Sequence, residues 1–230
     1  MTTYPMPATY LNQRAYGCAM RSKRQILLCS GLTSLVVLSS LATPAAAHHA
    51  MGGKLPTTFA EGLLSGLAHP VLGLDHLAFV IAIGMAAALV PAGVGLIGAF
   101  FAASAAGILV HVGAWNLPLT EVLAAATVIV AGGMVAFGNR AGNTAWLAVV
   151  AVAGLVHGYA LGESIVGADH SVLGAYLIGL AITAACVSIV VMSLTRTYLS
   201  AGEAATRRLR TIGTALGSVG VIMLAINLAA

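Results

Sequence analysis

Charge is the scarcest commodity in this chain. Only 7% of its 230 residues are Asp, Glu, Lys or Arg, while 60% are hydrophobic. A water-soluble domain of this size cannot cover that much apolar surface with so few polar groups, so the composition excludes one and predicts a polytopic membrane protein. The 10 basic residues outnumber the 6 acidic ones, but they are split between the amino-terminal region and short loops. They form no basic patch for nucleic acid, and no Gly-rich loop followed by Lys is present to hold a nucleotide, which argues against a nucleic-acid partner and against an ATPase activity of its own. Cysteine is nearly as sparse. Cys18 and Cys29 lie in the amino-terminal region and Cys186 stands alone in an apolar run, so the mature chain can form no intramolecular disulfide.

What the chain does have, first, is a secretory signal pattern. Arg21, Lys23 and Arg24 make a positive region, Ile26 to Leu41 an apolar core, and Ala45-Ala46-Ala47 an A-x-A cleavage site. This divides the chain into a presequence, 1–47, and a membrane domain, 48–230, that starts at His48. Met20 as the initiator would give a presequence of ordinary length.

A membrane helix needs about 20 mostly apolar residues. Six segments qualify, at roughly 71–90, 94–113, 119–138, 144–162, 173–195 and 209–228. The fold expected is therefore all-α, a compact bundle of six transmembrane helices without a soluble domain. Counting loops from an external His48 leaves Arg140, Arg196, Arg207, Arg208 and Arg210 inside and only Lys54 outside, in agreement with the positive-inside rule. Both ends of the mature chain then face the periplasm from a bacterial inner membrane. The small residues dense within the spans read as contact points for close helix packing.

The remaining ionisable groups gather near the outer ends of these segments. His69, Asp75 and His76 fall within eight residues, beside an apolar run. His69 and His76 are seven apart and would share one face of a continuous helix. Pro70 and Gly73 intervene, so this end of the span is expected to be broken or kinked. An ionisable group at mid-membrane depth costs about 2.5 to 3.5 kcal/mol on insertion scales, and three together ask for a function. Imidazole nitrogen and carboxylate oxygen are ligands for divalent transition metals. A second constellation runs from His157 to Glu163 at the outer end of the fourth span, where Gly158 and Gly162 would let a second chain segment approach closely, which suits a site shared with the first span. His111, Glu121, Trp115 and Tyr159 read as helix packing, end-capping or interfacial groups.

The pattern H-x5-D-H at His69, Asp75 and His76, followed by H-G-Y-A-x-G-E from His157 to Glu163, resembles the HupE/UreJ family of small nickel and cobalt permeases. The resemblance covers the whole mature chain. It implies a secondary permease that carries a divalent metal, nickel first and cobalt next, from periplasm to cytoplasm for metalloenzyme maturation. On this reading His69, Asp75, His76, His157 and Glu163 bind the ion; His48, His49, Asp169 and His170 are candidate accessory ligands by their own chemistry, with Asp169 the alternative to Glu163 for the carboxylate of the second motif. The ion is cargo rather than a permanent cofactor. Imidazole must be neutral to bind, so capture is expected to weaken as pH falls through about 6.5.

Three other functions compete. An intramembrane enzyme would need an H-E-x-x-H or dense His boxes, and Ser65 and Ser104 have no nucleophile motif around them. A metal-binding accessory or sensor subunit would need a cytoplasmic docking surface, for which 196–210 is the candidate. A copper permease would use the same donors with a different ion.

Overall fold

The computed structural model describes residues 54–138, 142–199 and 203–229. The presequence, His48, His49 and Arg140 lie outside them. Among the described residues there are only helices: α1 (Phe59–Leu72), α2 (Leu74–Leu89), α3 (Gly93–Val112), α4 (Thr120–Phe137), α5 (Gly142–Gly162), a 3-10 turn (Glu163–Ile165), α6 (His170–Leu199) and α7 (Glu203–Ala229).

Helices α3 to α7 are each long and apolar enough to cross a bilayer, and α1 with α2 would make a sixth span bent by 78°. The apolar segments read from the sequence match α2 to α7 in order. Helix α1 is the addition, because it lies almost wholly before residue 71, where the first apolar segment begins. Its start is fixed by a reciprocal cap: Thr58 Oγ1 accepts from the Glu61 amide at 3.2 Å, and the Glu61 carboxylate accepts from the Thr58 amide at 3.1 Å.

The break falls at Gly73, in extended conformation (φ −78°, ψ 115°). Pro70 sits in the last turn of α1 and removes one donor there. Gly73 rather than Pro70 makes the corner, and a Cβ on it would lie 2.6 Å from His76 Cδ2. The turn is therefore shaped around the His76 ring.

Helix α2 is the axis of the bundle. It touches α1, α3, α4, α5, α6 and α7, and the outer helices pair around it as α1 with α6, α3 with α5 and α4 with α7. Phe79, Ile83, Ala82 and Ala86 of α2 are buried with Phe100, Val128, Val135, Trp146 and Val150 in the main core. Large aliphatic side chains such as Leu109, Val130, Val152, Ile189, Val190 and Val221 are exposed on the outside, which is the surface a bilayer solvates. Some of the glycines serve close packing and others do not. Gly158 abuts the Ser104 backbone, and a Cβ on Gly162 would lie 2.9 Å from His111 Cβ, so α5 is drawn against α3 rather than against the first span. Gly95, Gly98 and Gly133 face open space.

Candidate metal centre

The corner at Gly73 places two groups of the first motif at the start of α2. Asp75 lies in its first turn, where the unpaired amides and the helix dipole favour a carboxylate. His76 follows and points into the bundle, 3% exposed. Across the interior, α5 supplies His157, 1% exposed, whose Nδ1 lies 2.8 Å from His76 Nδ1. Asp75 Oδ2 is 3.7 Å from the same His76 nitrogen. Donor atoms of Asp75, His76 and His157 all lie within 4.8 Å of one another, and all three residues are buried. A void of about 10 Å³, room for one water-sized particle, is lined by His76 and His157 together with Pro70, Val80, Phe100 and Leu161.

The surroundings hold the two rings at defined angles. Phe79 stacks on His157 with ring centroids 4.6 Å apart and planes 28° apart. His76 meets His157 edge-on, centroids 5.1 Å apart. Behind His157, Thr127 of α4 places its Oγ1 2.9 Å from Nε2.

His69 is buried one layer away, with its ring centroid 5.8 Å from that of His76. The Tyr176 hydroxyl donates to the Leu161 carbonyl at 2.7 Å and lies 3.1 Å from His69 Nδ1. With the Tyr176 hydrogen on the Leu161 carbonyl, the hydroxyl oxygen can accept from His69 Nδ1–H. Ser164 Oγ, 3.2 Å from His69 Nδ1, joins this group.

The other residues singled out in the sequence lie elsewhere. Glu163 is exposed in the 3-10 turn and lines an open cleft of about 560 Å³ with His111, Glu121, Tyr159 and Asn227. Asp169 and His170 are exposed at the start of α6. Tyr159 is buried, and its hydroxyl accepts from the Leu117 amide at 3.1 Å and donates to the Trp115 carbonyl at 2.9 Å, tying the α3–α4 loop to α5. His111 stacks on Tyr159, centroids 4.1 Å apart, and its Nδ1 lies 2.7 Å from the Tyr159 carbonyl. Thr127, Phe79, Ser164 and Tyr176 carry no motif in sequence. The signal they did offer was a polar or aromatic group inside an otherwise aliphatic span.

The family model described as HupE / UreJ protein matches residues 36–223. This chain belongs to the HupE/UreJ family. Protein HupE of Rhizobium leguminosarum bv. viciae is 34% identical over 127 residues, which is 54% of this chain and 64% of that relative. The chain thus aligns with less than two thirds of that relative's length. No solved structure matches it. The HupE/UreJ family is a membrane-transporter family associated with metal uptake, and the buried cluster of two imidazoles and a carboxylate has the donor chemistry for such an ion.

Proposed function

We propose that this protein is a permease for a divalent transition-metal ion, nickel first and cobalt next, moving it from periplasm to cytoplasm across the inner membrane. The observation that carries this reading is the meeting of Asp75, His76 and His157, donor atoms within 4.8 Å, in the interior of an apolar bundle. Buried ionisable groups are expensive in a bilayer and are retained for ion passage, proton relay or a comparable task.

In the proposed cycle a hydrated cation first meets the open cleft, where Glu163, Glu121 and His111 supply negative charge and a nitrogen donor. The lining of that cleft includes Tyr159 and Ala160, on the same helix as His157. The ion then exchanges water for His76, His157 and Asp75. Mixed nitrogen and oxygen donors with some retained water release an ion more readily than thiolates, and a permease must not hold its cargo too tightly. The proton that joins the two imidazoles in the metal-free protein occupies the place the cation takes, so the two compete for it.

An inside-negative potential contributes about 2.3 kcal/mol per charge per 100 mV, and about twice that for a divalent ion. Potential alone can sustain accumulation on this account. Proteoliposomes containing the purified protein test it. Nickel or cobalt entry driven by an imposed potassium-diffusion potential, with no pH gradient, supports a potential-driven permease. No entry under either a potential or a pH gradient, from vesicles that hold folded protein, rejects transport and favours a metal-binding accessory role.

A further inference from the structure

Thr127 belongs to no motif, yet it touches the ring at the centre of the cluster. Its Oγ1 lies 2.7 Å from the Ala124 carbonyl and 2.9 Å from His157 Nε2. The carbonyl can only accept, and the hydroxyl has one hydrogen to give. With that hydrogen donated to Ala124, the Thr127 oxygen accepts from His157 Nε2–H. The proton of neutral His157 is thereby fixed on Nε2, and the lone pair is fixed on Nδ1, the atom that faces His76 Nδ1 at 2.8 Å.

We infer that Thr127 is a positioning residue for metal capture: its hydroxyl sets the tautomer of His157 so that Nδ1 is presented as a donor to the space between His76, His157 and Asp75. The inference rests on the permease reading for its purpose, and on the hydrogen-bond geometry alone for its substance. Two features make the lock effective. Phe79 stacks on the face of the ring and opposes a flip that would swing Nδ1 away from His76 and Nε2 away from Thr127. The back-bond to Ala124 is local to α4, so it holds the Thr127 rotamer without help from α5. Partners of this kind, bonded to the far nitrogen of a ligating histidine, raise its basicity and hold its orientation, and their loss typically costs about 10- to 100-fold in metal affinity.

The test uses the full chain purified in detergent, as wild type, Thr127→Val, Thr127→Ser and His157→Ala. Valine keeps the branched shape and removes the hydroxyl; serine restores it. Nitrogen-15 spectra of histidine-labelled, metal-free protein report which ring nitrogen of His157 carries the proton, with His157→Ala identifying the signal. Titration with nickel and with cobalt reports affinity. The expected result is a single Nε2–H tautomer in wild type and Thr127→Ser, a mixture or the other tautomer in Thr127→Val, and metal binding about 10- to 100-fold weaker in Thr127→Val alone. A wild-type His157 protonated on Nδ1 overturns the inference without recourse to any variant, as does Thr127→Val with the wild-type tautomer and affinity. If wild type and His157→Ala bind both metals equally or not at all, the permease reading fails, while the tautomer spectra still decide what Thr127 does.

Discussion

His76 and His157, 81 positions apart, face each other through their Nδ1 atoms at 2.8 Å in the interior of the bundle. One stands on the first turn after a broken helix and the other in the last two turns of α5. Phe79 stacks on the His157 ring and the His69 ring lies 5.8 Å from that of His76, and with the two Nδ1 atoms in hydrogen-bond contact an ion bound between them would be held by both. Substituting either residue should therefore remove nearly the whole effect. His76→Ala and His157→Ala are each expected to lower metal affinity by at least tenfold, and the double variant to be little worse than either single one. Isothermal titration with nickel and cobalt measures this; losses that simply add in the double variant would mean that the two rings do not share an ion.

Gly73 shapes the corner that presents His76. With a Cβ on it 2.6 Å from the His76 ring and 3.3 Å from Asp75 Oδ1, Gly73→Ala must displace one or both. The variant is expected to fold, since alanine tolerates an extended conformation, yet to bind metal more weakly. Gly95→Ala, where no atom lies within 4 Å, is the matched control and should bind as wild type. Equal affinity in the two variants would count against a tightly shaped corner.

Phe79 is fully buried between His157 and Phe100, with ring centroids 4.6 Å and 5.7 Å away. Phe79→Ala removes a large side chain from the most enclosed part of the core and is expected to cost about 3 to 5 kcal/mol of stability. Thermal unfolding in detergent should show a marked drop in midpoint. A drop no larger than that of an exposed-site control such as Leu109→Ala would place the packing centre elsewhere.

Glu163 and the buried cluster should separate kinetically. Because Glu163 lines the open cleft and is exposed, Glu163→Gln is expected to slow uptake at low metal concentration, several-fold, and to do so less as salt screens the cleft. Equilibrium affinity of the purified protein should change little. A loss of affinity as large as that of His157→Ala would move Glu163 into the ion's shell.

Much of this arrangement was legible from residue order, and the parts that were not have physical reasons. Apolar length alone located α2 to α7, since a bilayer demands runs of that kind. The kink was readable from Pro70 and Gly73, because the missing amide and the missing Cβ both act locally. Helix α1 was harder: its start depends on the exchange between Thr58 and Glu61, a signal easily passed over beside a strong apolar run. The approach of His76 to His157 was suggested by their chemistry but not determined by it, because which helices become neighbours is decided by packing. Gly158 illustrates the point, since it draws α5 onto Ser104 of α3 and not onto the first span. Thr127 and Tyr176 were invisible as functional groups for the same reason. A threonine on one helix reveals its role only when the ring it holds, on another, is seen beside it.

The most direct measurement is uptake of labelled nickel and cobalt by metal-starved cells that express the wild-type chain or His76→Ala at equal membrane abundance, with copper and zinc as competitors. Accumulation is expected in wild type and falls to the level of empty cells in the variant, with nickel or cobalt competing best. Wild-type cells that accumulate no more metal than empty cells, or a His76→Ala variant that accumulates as much as wild type, would contradict the permease reading.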